Sequence, residues 1–126
     1  TLISALKAVK FSYNSYTMNH VSIYAGAAAI NDDKYFKEIV SKVINTREKA
    51  KDKLKKLGFS FTDSKTNFLF ATHKSVPAEK IFEELKKRKI YVRYFNKPRI
   101  NNYLRITIGT DEEMEKLYEA LKEIVE

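Results

Sequence analysis

Cysteine is absent from this 126-residue chain. That excludes disulfides and thiolate metal sites, and it suits a reducing compartment. Glycine occurs only at Gly26, Gly58 and Gly109, far apart, so no glycine-rich loop can cradle a phosphate. The histidines are His20 and His73, too distant in sequence for metal-ligand spacing. No apolar run is long enough to cross a bilayer and no signal-peptide pattern opens the chain, so a soluble cytoplasmic protein is expected. No serine–histidine arrangement or paired carboxylates emerge, and the chain carries no complete catalytic apparatus of its own.

What the chain does have is apolar content and positive charge. Apolar residues make up 44% of the composition, enough for one modest domain with a core. The formal net charge is +8, which raises the question of a polyanionic partner. The lysines are interleaved with other residues along helical stretches, as in "KAKDKLKK" from Lys49 to Lys56, the arrangement of a solvated helix face. No nucleic-acid motif accompanies them, and neither nucleic acid nor membrane is expected as a partner.

Periodicity divides the chain. "LISALKAV" is helical from its first residues, as if cut from something longer. Thr17 is placed to cap a second helix beginning at Met18, with an alanine-rich centre suited to close packing. From Tyr35 to Leu57 the positions Phe36, Val40, Val43, Ala50, Leu54 and Leu57 line one face of a long amphipathic helix. Arg47 interrupts this stripe, and Gly58 ends it. Beyond it the pattern reads strand, helix, strand, strand, helix. "FSF" is a possible additional short strand. The firmer strands are 67–72, 90–95 and 103–108, the helix after Pro77 uses Ala78, Ile81, Phe82 and Leu85, and Thr110 with Glu113 forms a capping box for the last helix. Strands 67–72 and 90–95 flank a helix and are expected to pair in parallel, while 90–95 and 103–108 pair antiparallel. The expected fold is α+β, a small mixed sheet of three to four strands covered by helices and preceded by long linking helices.

Two strands carry an arginine at the same phase of their alternation, "IYVRYF" with Arg93 and "NNYLRITIGT" with Arg105. If Val92 and Tyr94 share a core face with Leu104 and Ile106, both guanidiniums project from the other face within reach of each other. Such a pair repels unless an anion lies between, and arginine forks match carboxylate and phosphate oxygens. A strand arginine is commonly solvated, or paired with an acid from elsewhere in its own fold, and the spacing permits an anion clamp without establishing one. Lys65, in "DSKTNF", has nothing nearby to desolvate it and reads as a solvated loop lysine.

The segments "VKFSYNSYTMNHVSIYAGAAAINDDKYF", "SKTNFLF", "KIYVRYFNKP" and "NNYLRITIGTDEEMEKLYEAL" resemble, in this order, the C-terminal part of histidinol-phosphate aminotransferases. These belong to the fold-type I class of pyridoxal-phosphate-dependent enzymes. The resemblance spans essentially the whole chain. It implies that residues 1–31 are the end of a large domain with an interdomain helix, and that 32–126 are a small C-terminal domain. It further implies that Arg105 binds the substrate's anionic end, the α-carboxylate of glutamate or the phosphate of histidinol phosphate, with Arg93 near the same anion. Tyr13 and Asn14, in "SYNSYT", correspond to a junction that approaches the opposite subunit's substrate pocket in a homodimer, although turn and capping roles stay open for them. The lysine that bonds to pyridoxal phosphate, the aspartate at its ring nitrogen and its phosphate ligands precede this region in the family. Lys7 and Lys10 lie beyond that place and lack its serine- and glycine-rich context. By itself the chain is expected to hold no pyridoxal phosphate covalently and to transaminate nothing; the missing N-terminal large domain is its implied partner. The rival reading is a stand-alone basic module for anions or nucleic acid, whose binding would weaken steeply with salt.

Overall fold

The computed structural model describes residues 1–13 and 16–126, with the side chain of Tyr13 outside that description. It divides into two compact units, Thr1–Lys37 and Glu38–Glu126. Within the first unit lie α1 (Leu2–Tyr13), α2 (His20–Asn31) and the opening turn of α3 (Asp33–Lys56). α2 starts two residues later than the sequence suggested, because Asn19 rather than Thr17 caps it: its Oδ1 accepts the Ser22 N–H at 2.8 Å. Asp32 caps α3 in the same way, accepting the Tyr35 N–H at 3.1 Å. None of the helices is long and apolar enough to cross a membrane, among the described residues.

The second unit is a two-layer α+β domain. After α3 come β1 (Phe59–Phe61), β2 (Phe68–His73), α4 (Ala78–Lys87), β3 (Arg93–Tyr94), β4 (Leu104–Thr107) and α5 (Asp111–Val125). The four strands are ordered β1-β2-β4-β3, and every neighbouring pair is antiparallel. The α+β class and the strand number agree with the sequence reading; the mixed pairing does not. β2 and β3 do run in the same direction across the α4 crossover, but β4 inserts between them and takes both ladders. Only Arg93 and Tyr94 of the anticipated strand 90–95 pair with a neighbour.

Alternation puts one sheet face in the core. Leu69 and Ala71 of β2 join Leu104 and Ile106 of β4, with Ile108 just beyond. Against them pack Ala50 and Leu54 of α3, Ala78, Ile81 and Leu85 of α4, and Met114, Leu117 and Leu121 of α5. His73 is buried in the same layer. Its Nδ1 accepts the N–H groups of Ser75 and Val76, so Nε2 carries the proton and donates to the Leu57 carbonyl at 3.0 Å. That carbonyl ends α3 beside Gly58, whose φ of +85° is the left-handed conformation that closes a helix.

Two caps hold the sheet to its helices. Pro77 offers no side-chain cap to α4, and Asn102, from the loop before β4, accepts the Ala78 N–H at 3.1 Å while donating to Thr72 Oγ1. At α5 the capping box is complete, Thr110 Oγ1 accepting the Glu113 N–H and Glu113 Oε2 accepting the Thr110 N–H at 2.8 Å.

Candidate functional site

Residues at the opposite phase of the same strands form the other sheet face. Phe68 and Phe70 of β2 lie across from Thr107 and Arg105 of β4, and Arg105 lies in turn across from Arg93 of β3. Arg105 therefore stands on a central strand, flanked by a phenylalanine on one side and an arginine on the other. The register brings the two arginines to one face, as their phase in the sequence required.

Aromatic rings surround the guanidiniums. Arg105 lies 4.5 Å from the centroid of Phe68 and 5.9 Å from that of Phe95, and Arg93 lies 5.4 Å from Phe95. Tyr103 stacks on Phe70 at 4.7 Å, nearly parallel, and Phe70 meets Phe95 edge-on at 6.2 Å. The ring faces offset part of the repulsion between two cations facing each other across a ladder. They do not supply an acceptor. Among the described residues neither arginine has an acidic partner, and the Nε of Arg105 is buried without any hydrogen bond. A buried guanidinium N–H left unpaired is costly, and the face of the Phe68 ring beside it compensates only in part.

A hollow of about 560 Å³ opens over this face. Arg105, Phe68, Phe70, Phe95 and Ile100 form its floor, and the loop 62–66 forms its wall. That loop is tied to α3. Arg47 Nη1 donates to the Thr66 carbonyl at 3.1 Å, and Lys51 Nζ donates to Asp63 Oδ1 at 2.7 Å; Glu48 bridges the two cations, at 3.1 Å from Arg47 Nε and 2.9 Å from Lys51 Nζ. Hydrogen bonds from Lys51 and then Lys65 hold the Asp63 carboxyl down to about 2. The Lys51 bond likewise lowers the Glu48 carboxyl, while the bond to Asp63 raises the Lys51 ammonium.

The other sequence candidates fall elsewhere. Lys65 sits on the hollow's rim, exposed and ion-paired with Asp63 at 3.2 Å. His20 is an exposed residue in the first turn of α2. Asn14 and the side chain of Tyr13 lie outside the described residues. No group of three or more metal-ligating side chains occurs among the described residues. The aromatic floor and the Arg47–Glu48–Lys51–Asp63 network were not anticipated. Arg47 breaking an apolar stripe was their visible signal, since a cation on the core side of a helix has to meet an acceptor.

The second unit is thus a helix-backed antiparallel sheet with a basic, aromatic open face. The chain belongs to the aminotransferase class I and II family, whose model matches residues 1–121. Among individual relatives, the histidinol-phosphate aminotransferase of Brachyspira hyodysenteriae is 56% identical over 98% of this chain, and that of a Marinomonas species is 54% identical over 96%. In both cases the match covers 35% of the relative, so the chain spans about a third of the length of the curated relatives it matches. Histidinol-phosphate aminotransferase from Sinorhizobium meliloti, solved in complex with pyridoxal-5'-phosphate, superposes with a TM-score of 0.79 at 27% identity, over 94% of this chain and 33% of that one. The enzyme from Clostridium acetobutylicum reaches the same TM-score at 21% identity, over 93% and 36%, a likeness of fold.

Proposed function

We propose that this chain supplies the substrate-anion grip of a pyridoxal-phosphate-dependent histidinol-phosphate aminotransferase. The complete enzyme would move an amino group from glutamate to imidazole acetol phosphate in histidine biosynthesis. The observation that carries the reading is the half-buried guanidinium of Arg105, lining the hollow on an aromatic floor directly across from Arg93 and without an acidic partner among the described residues. A carboxylate or phosphate oxygen is the acceptor that such a guanidinium fits, and Arg93 adds a second positive charge on the same side. The half-buried rings of Phe68, Phe70 and Phe95 make the floor less polar than water, which strengthens charge-assisted bonds formed there. One arginine then serves both halves of the reaction, holding a carboxylate in one and a phosphate in the other.

The residues of this chain do not fit covalent attachment of the cofactor. Lys65, the lysine lining the hollow, is exposed and paired with Asp63, whereas a nucleophilic lysine needs a desolvated or otherwise depressed ammonium. In this reading pyridoxal phosphate, bound by residues that precede the chain in the family's order, supplies the amino-group chemistry, and this chain grips the anion. Residues 1–31 belong with the large domain and its linking helix, and 32–126 form the small domain. Tyr13 and Asn14 reach the pocket of the opposite subunit in a cytoplasmic homodimer.

The test is Arg105→Ala in the complete enzyme. Loss of a charge-assisted bidentate contact predicts a fall of roughly 100-fold or more in kcat/KM for glutamate and for imidazole acetol phosphate alike. Full activity with either substrate would remove the shared grip.

A further inference from the structure

We infer that Arg47 and Lys51 are positioning residues for the anion site, gripping the two ends of loop 62–66 so that this wall of the hollow stands at a set distance from Arg105. The inference rests on the anion grip proposed above and extends it to a helix that touches no substrate.

Both cations lie one turn apart on α3 and both are buried, at 5% and 7% exposure. Burying a cation is costly, and an apolar residue at position 47 would have continued the α3 stripe at no such cost. What each cation does instead is reach the loop. Lys51 takes its start through Asp63, and Arg47 takes its end through the Thr66 carbonyl. Thr66 passes the constraint on, because its Oγ1 accepts the Phe68 N–H at 3.1 Å and Phe68 is the ring 4.5 Å from the Arg105 guanidinium. A shift of the Thr66 carbonyl therefore moves the wall and the ring under Arg105 together. A wall that is no longer held at its distance from the guanidinium weakens the grip on a bound anion.

The experiment compares four variants of the complete enzyme: Arg47→Met, Asp63→Asn, Arg88→Met and Arg105→Ala. Inorganic phosphate affinity is measured by titration calorimetry, alongside kcat and KM for the phosphorylated substrate. Arg47→Met is expected to weaken phosphate binding and raise KM about tenfold while kcat stays within about twofold. Asp63→Asn, at an exposed side chain, is expected to do the same about threefold. Arg88→Met is the control: Arg88 also donates to a backbone carbonyl, that of Ala120 at 3.2 Å, but away from the hollow, and its loss should leave both quantities unchanged. Native phosphate affinity in Arg47→Met and Asp63→Asn overturns the inference. So does an equal loss in Arg88→Met, which would mark the effect as general destabilisation. Should Arg47→Met fail to fold, Asp63→Asn decides alone. Native phosphate affinity in Arg105→Ala would instead show that the anion grip itself is misassigned.

Discussion

Arg93 and Arg105 stand directly opposite each other on neighbouring antiparallel strands, with Phe95 within cation–π reach of both. Two cations paired across a ladder repel, and a bound anion reverses the sign of that interaction. The pair therefore predicts opposite effects in the free and the liganded protein.

Arg93→Ala should raise the denaturation midpoint of the anion-free enzyme slightly, by relief worth about 0.2–1 kcal/mol. The same change should lower kcat/KM roughly 3- to 10-fold, less than Arg105→Ala, because Arg93 is exposed whereas Arg105 buries its Nε. Denaturant titrations with and without phosphate, beside steady-state kinetics, check both signs. A stability loss in the anion-free enzyme would mean that the contact of Arg93 with the Phe95 ring outweighs the repulsion.

Gly109 is required by the capping box of α5. A Cβ there would lie 2.5 Å from Glu113 Oε2, the atom that accepts the Thr110 N–H. Gly109→Ala is expected to cost about 1–2 kcal/mol through loss of the cap, and Glu113→Ala about 1 kcal/mol. Because both act through one carboxylate, the double variant should cost at least about 0.5 kcal/mol less than the sum. Additivity of the denaturation midpoints would show that the glycine is needed for another reason.

Asp63 makes acid sensitivity local. Its folded-state carboxyl is depressed from 3.8 to about 2 by Lys51 and Lys65, so the stability it contributes is present above about pH 4 and is lost as pH falls toward 2. Asp63→Asn should therefore be less stable than the native enzyme near pH 6, with the gap closing as pH falls toward about 2. The Glu48, Asp111 and Glu113 carboxyls are lowered too and act in both proteins, which is why the difference between them is the quantity to follow. A gap that is constant with pH would break the assignment.

The alternation of "YLRITI" was enough to put Arg105 on the face opposite Leu104 and Ile106, and the matching phase of "YVRYF" brought Arg93 beside it. Periodicity also marked α3, the helix after Pro77 and the Thr110–Glu113 box, because each is a local pattern. What local pattern could not carry was pairing at a distance. Insertion of β4 between β2 and β3 depends on three segments at once, and so the mixed sheet expected from the α4 crossover became an antiparallel one. Asn102 as the cap of α4, and Arg47 as the hand on Thr66, are likewise contacts between residues distant in sequence; the side-chain type showed a need, and only the fold showed what met it.

The place of β4 also has a consequence for how the chain is made. A ribosome delivers β2 and β3 before Leu104–Thr107, and the strand that both of them pair with arrives only then. A product ending at a premature stop before Leu104 would carry two unpaired strand edges and lack Arg105 altogether, leaving it exposed to aggregation and to proteases. Completion of the sheet and arrival of Arg105 are thus one event in synthesis, and a chain stopped before β4 has neither.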